Sequence, residues 1–149
     1  MPVTDLPVMA AKPFAGPLLV TVAYVVVYYL MICYQVAVRT RLRRAYRARG
    51  ESFDRYFGGD REMLAADRIV GNMLEHMPAF LVLLWLNAIF VGPRGAALAG
   101  AAYVVSRLLY PLMMGRRLGK GVPTRIMLAT VIGYAALAYF AVRLVVAAI

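Results

Sequence analysis

Apolar positions along the chain gather into four long blocks, residues 14–38, 69–91, 95–114 and 126–149. Each block is close to the ~20 consecutive apolar residues that an α-helix needs to cross a bilayer core about 30 Å thick. In hydrocarbon a backbone must satisfy its own hydrogen bonds, so blocks of this length predict membrane helices. The chain therefore reads as an all-α, integral membrane four-helix bundle, with residues 1–149 forming one transmembrane domain. The first block is too long, and lacks a preceding basic stretch, to be a cleaved signal peptide.

The polar segments define the connections. The first thirteen residues hold three prolines and read as a short lead outside the membrane. Span one is expected to continue helically into the arginines of residues 39–49, with Gly50 interrupting it. Residues 51–60 include Gly58-Gly59 and mixed charge and read as a loop, whereas residues 61–68 read as helix feeding span two. Gly92-Pro93-Arg94-Gly95 predicts a tight turn that makes spans two and three an antiparallel hairpin. Gly119, Gly121 and Pro123 break the connection between spans three and four. Small residues in span three, among them Ala96, Ala99 and Gly100, allow neighbouring helices to approach closely.

Composition agrees with this pattern, since apolar types are 63% of residues against about 45–50% in soluble domains. The net charge of +10 raises the question of nucleic acid, but its distribution answers it. Nine arginines lie in residues 39–68, and Arg116, Arg117, Lys120 and Arg125 lie between spans three and four. The opposite side has only Lys12 and Arg94. By the positive-inside rule both termini are then extracytoplasmic and both basic loops cytoplasmic, where they attract anionic lipid headgroups. No recognition motif accompanies the charge, so no nucleic-acid partner is expected. The one cysteine, Cys33, falls inside span one without a CxxC partner and reads as a packing or lipid-facing residue. With His76 the only histidine, no multi-histidine metal site is available and no metal is expected. P-loop, GxSxG and HExxH patterns are all missing from the sequence.

Charge inside a bilayer is expensive and by default marks function or a specific pair. Arg68, Asn72 and Glu75 lie at i, i+4 and i+7, on one face of span two, so they form a polar stripe descending from the cytoplasmic end. Arg107 and Tyr110 lie in span three, and the hairpin brings Arg107 to a depth similar to that of Glu75. A Glu75–Arg107 ion pair is the expectation. It either locks the two helices together or belongs to a polar pocket, open to the cytoplasm, lined by Arg68, Asn72, Glu75, Arg107 and Tyr110. His76 reads as a packing or hydrogen-bonding residue, and Arg143 as a snorkelling interfacial one. Trp85 and Asn87 read as anchors at the outer interface. Pro78 is expected to kink span two near the stripe.

The segment Arg68-Ile-Val-Gly-Asn72-Met-Leu-Glu75-His76-Met-Pro78-Ala-Phe80 resembles the span-two signature of the MAPEG superfamily, the membrane-associated proteins of eicosanoid and glutathione metabolism. Ser106-Arg107-Leu-Leu-Tyr110 is similar to that family's span-three segment, and the likeness runs from about Gln35 to the C-terminus. The resemblance implies a homotrimer that binds glutathione between adjacent subunits and acts on a lipophilic electrophile, hydroperoxide or endoperoxide. Carried over by position, it implies that Arg68, Asn72, Glu75 and Tyr110 hold glutathione, with Arg107 supporting Glu75. Arg39 or Arg41 at the end of span one is implied as a further ligand. Arg125, at the start of span four, is implied as the catalytic cation that stabilises the thiolate. The chain departs from the family pattern at Met114, where a second tyrosine is common, at His76, and in a longer, more basic 115–125 loop.

The reading that follows is a glutathione-dependent membrane transferase or peroxidase acting on lipophilic substrates. A non-enzymatic MAPEG-like scaffold or lipid-binding protein is the alternative. A small transporter or channel is a poorer fit, because apart from Arg143 the outer halves of the spans are nearly apolar.

Overall fold

The computed structural model describes residues 12–119 and 124–149. The lead at residues 1–11, and Lys120, Gly121 and Pro123 in the last connection, lie outside the described residues. Four α-helices occur among the described residues: α1 (Ala15–Ala48), α2 (Arg61–Phe90), α3 (Pro93–Met114) and α4 (Ile126–Ala148). A single 3₁₀ turn, Lys12–Phe14, precedes α1. All four are long and apolar enough to cross a membrane, and no strand occurs among the described residues. The architecture is an all-α, four-helix membrane bundle.

Two helices outrun their apolar blocks. α1 has 34 residues and α2 has 30, which at 1.5 Å per residue is about 50 Å and 45 Å, well beyond a 30 Å core. The surplus turns are the arginine-rich end of α1 and the start of α2. They pack on each other through Val38, Leu42, Met63 and Ala66, with Phe53 of the intervening loop laid against them. Asp60 caps α2: its Oδ1 accepts from the Glu62 and Met63 amides at 2.9 and 3.1 Å, satisfying donors that the first turn otherwise leaves free.

The turn between α2 and α3 is closed by the Val91 and Gly92 amides, which both donate to the Asn87 carbonyl. Gly92 takes φ 152°, and Pro93 opens α3, where a missing N–H is harmless. α3 ends at Gly115, whose φ of 76° suits a residue with no Cβ. Inside α2, Pro78 leaves the helix continuous, while the Tyr24 hydroxyl donates to the Met73 carbonyl at 2.8 Å in the preceding stretch.

One apolar core joins all four helices through Val20, Tyr24, Phe80, Leu84, Tyr103 and Phe140, among others. Phe80 and Tyr103 stack with centroids 4.1 Å apart, and Tyr24 leans on both. Gly100 of α3 is what lets α1 and α2 close in. A Cβ there would lie 2.8 Å from Val20 Cγ1 and 2.9 Å from Leu84 Cδ1. Toward the basic end, a second cluster joins Ala65 and Ile69 to Tyr110, Met114, Ile126 and Ala129.

Asn87 is not an interfacial anchor. It is buried, and its Nδ2 donates to the Phe140 carbonyl at 3.0 Å and to Leu83 at 2.9 Å. A primary amide carries two donors, so one side chain can staple α2 to α4 while also bonding its own helix. Trp85 is half-buried and packs on Phe14 instead.

Candidate functional site

Arg107 is the one arginine enclosed by the described bundle, with 3% of its surface exposed. α3 carries it inward because Tyr103, Ser106, Arg107 and Tyr110 share the buried side at helical spacing. A cation in that position requires polar partners, and it finds them in α2 and in its own helix. Its Nη1 donates to Asn72 Oδ1 at 2.6 Å and its Nε to Ser106 Oγ at 3.2 Å. Ser106 in turn donates to the Tyr103 carbonyl at 2.7 Å. The guanidinium lies 4.9 Å from the Tyr103 ring centre and 5.8 Å from that of Tyr110, within the range of a cation–π attraction.

α4 completes the enclosure with a glycine. A Cβ on Gly133 would lie 3.1 Å from Ser106 Oγ and 3.2 Å from Arg107 Cζ, and would collide with the guanidinium nitrogen Nη2. Only a bare backbone leaves room for the arginine there.

The expected Glu75–Arg107 ion pair is not formed within the chain. Glu75 accepts instead from Arg68 Nη1 at 3.2 Å, and both side chains are 54% exposed. Helix geometry gives the reason. At about 100° per residue, Glu75 lies about 20° from Arg68 to one side and Asn72 about 40° to the other. The stripe therefore has two edges. Asn72 faces α3 and meets Arg107, whereas Arg68 and Glu75 face out along the flank of α2 and meet each other.

That flank is not featureless. A recess of about 330 Å³ lies on it, lined by Leu64, Asp67, Arg68, Gly71 and Leu118. Arg55, from the loop before α2, makes a two-point contact with Asp67 at 2.7 and 2.9 Å, and Gln35 of α1 donates to the same carboxylate at 2.7 Å. These contacts tie loop, α1 and α2 together immediately beside Arg68. The sequence alone assigns no role to Arg55, Asp67, Gln35, Ser106 or Gly133, because their importance depends on which segments meet.

The remaining candidates are spread around the basic end. Tyr110 is buried in the second apolar cluster, and Met114, one turn further, fills the same cluster rather than offering a hydroxyl. Arg125 is exposed at the N-terminal boundary of α4, and its Nη2 lies 3.0 Å from where a Gly115 Cβ would be. It neighbours Ile126, which packs in the Tyr110 cluster. Arg41 is held by Glu62, while Arg39 is exposed and has no carboxylate partner among the described residues. His76 lies edge-on to Tyr134 of α4 at 5.3 Å, and Cys33 is exposed on α1.

Four membrane-length helices, a buried arginine link and a polar stripe confined to the arginine-rich half define a polytopic membrane protein whose chemistry is concentrated at one end. The chain matches the MAPEG family over residues 17–146 and belongs to it. None of the curated proteins matches the chain. Family membership supports, broadly, a membrane function related to glutathione or eicosanoid metabolism.

Proposed function

We propose that the chain is a glutathione-dependent membrane transferase or peroxidase, assembled as a homotrimer, with glutathione bound against the α2 flank of each copy. The observation that carries this reading is the Arg68–Glu75 pair. It stands half-exposed, with Arg68 about 10 Å and Glu75 about 20 Å along α2 from its first residue, so that Glu75 falls within the apolar block on a surface otherwise suited to lipid. Charged groups so placed call for a polar partner.

Glutathione supplies complementary groups: two carboxylates for Arg68 and Arg39, and an ammonium for Glu75. Arginine suits a carboxylate because its planar fork makes two parallel hydrogen bonds. Of the two span-one arginines, Arg39 is the better ligand, since Glu62 already occupies Arg41. Asn72 acts through its bond to Arg107, and Tyr110 through its place beneath the stripe. Arg125, at the start of α4, holds the thiol as thiolate, because a nearby cation favours the ionised sulfur. The thiolate sulfur then displaces the leaving group of an electrophile. With a hydroperoxide, two glutathiones give the disulfide, an alcohol and water. The arginine-rich end faces the cytoplasm, with both termini outside.

Adding glutathione to detergent-purified protein is expected to produce a thiolate absorbance in the ultraviolet that Arg125→Ala removes. No binding at millimolar glutathione would sink the proposal. A second reading, a non-enzymatic membrane scaffold, is favoured by one observation: Asn72, Ser106 and Gly133 enclose Arg107 so fully that it serves helix locking well. Under that reading glutathione changes neither absorbance nor thermal stability.

A further inference from the structure

At the arginine-rich end the structure holds a second polar feature, separate from the α2 flank. A cavity of about 550 Å³ opens between the end of α1, the start of α2 and the segment after α3. Arg41 and Arg49 line it from α1 and its cap, Arg61 from α2, and Arg116 and Arg117 from the segment after α3. Its two carboxylates, Asp60 and Glu62, are already committed. Glu62 is only 10% exposed and takes Arg41 and, at 3.5 Å, Arg116. Asp60 Oδ1 caps α2, and its Oδ2 accepts from the Tyr46 hydroxyl at 3.0 Å.

Five arginines and two carboxylates line the cavity, and Arg49 is paired with Glu51 beside it at 3.0 Å, which leaves two positive charges in excess among the described residues. Arg61 and Arg117 in particular have no carboxylate partner among the described residues. The walls are fixed relative to one another, because the Leu118 amide donates to the Arg61 carbonyl at 3.0 Å.

We propose that this cavity binds the phosphate headgroup of an anionic phospholipid, with Arg61 and Arg117 as its principal ligands. Arginine forks match phosphate oxygens in pairs, and an excess of positive charge at a membrane face draws acidic lipids. Two features favour a lipid over a free anion. Leu42 and Ala45 give the cavity an apolar side. Tyr56 and Phe57, on the loop that reaches the cavity wall at Gly59, are 84% and 94% exposed. Asp54 Oδ1 accepts from both of their amides at 2.9 Å and fixes that turn. Exposed aromatics beside a basic patch are suited to the bilayer interface. The inference does not rest on the thiol reading.

The test is native mass spectrometry of the detergent-purified full chain, titrated with phosphatidylglycerol, phosphatidylcholine or inorganic phosphate. Phosphatidylglycerol is expected to bind tighter than phosphatidylcholine. Each arginine near an acidic lipid contributes about fivefold, so Arg61→Gln/Arg117→Gln lowers phosphatidylglycerol affinity about 25-fold. Arg43→Gln/Arg44→Gln removes the same charge outside the cavity and is expected to change it little. Should the first pair not fold, Arg117→Gln alone carries the test with about a fivefold loss. Equal binding of the two lipids, or equal loss in both double variants, overturns the proposal. Inorganic phosphate that displaces the lipid at comparable concentration overturns the lipid assignment in favour of a free anion.

Discussion

Arg107 has no carboxylate partner among the described residues, so its neighbours decide what each substitution does. Asn72→Leu removes the Oδ1 that accepts from Nη1 and leaves part of the guanidinium unpaired, at about 1–3 kcal/mol. Replacing both members by apolar groups of similar shape avoids that loss. Thermal unfolding in detergent should therefore show Asn72→Leu clearly destabilised and Asn72→Leu/Arg107→Met substantially recovered. A double variant as unstable as the single one would contradict this account. Gly133→Ala tests the same pocket from α4. Its methyl group meets Ser106 and the guanidinium, and overpacking of this kind costs about 1–3 kcal/mol. Because the clash is with Arg107 itself, Arg107→Met should relieve it, so the two substitutions are expected to be less than additive.

At the scale of elements, the start of α2 depends on Asp60. Burial pushes its carboxyl up, but amide hydrogen bonds from Met63 and Glu62 and the Tyr46 hydroxyl overcome that and hold it below the usual carboxylate range. A depressed value means that the ionised cap stabilises the fold above the unfolded-state value of about 3.9. That contribution is lost as pH falls through the folded-state value. Asp60→Ala should lower stability by about 1 kcal/mol near neutral pH and show a smaller further loss than the wild type on acidification below about pH 4. Asp60→Asn, which keeps a capping oxygen, should lie close to wild type at neutral pH and share the reduced acid sensitivity. Thermal midpoints measured in detergent across pH distinguish the three; an Asp60→Ala curve parallel to wild type in acid would remove Asp60 from the account.

Helices were the most legible elements because a bilayer sets their length and apolar character directly. The i, i+4, i+7 stripe was legible for a related reason, since spacing within one helix fixes angles within that helix. Spacing says nothing of how the helix is rotated against its neighbours. For that reason spacing alone pairs Glu75 with Arg107, although Asn72 is the residue turned toward α3. The same blindness put Asn87 at an outer interface when its amide is buried against α4. Gly133 carried no periodic signal at all, for its role exists only where α4 meets the arginine.

At the scale of the whole molecule, the four helices expose broad apolar faces, as a membrane protein must, but the Arg68–Glu75 pair interrupts one of them. The two readings of function divide on what covers it, a polar ligand in the first and a neighbouring copy in the second. If glutathione is the partner, Glu75→Gln weakens the ammonium contact while apolar packing still holds the assembly. Sedimentation in detergent should then report three copies for both wild type and variant, with glutathione raising the wild-type thermal midpoint and scarcely moving the variant's. A ligand that binds only the folded state must raise stability by mass action, so this readout needs no substrate. If the pair instead serves assembly, Glu75→Gln shifts the sedimenting species toward single copies, and glutathione moves neither midpoint. The charge-keeping Glu75→Asp separates these further. A shortened carboxylate leaves the net charge of the flank intact, so a ligand contact that depends on reach is weakened while the attraction between copies largely persists.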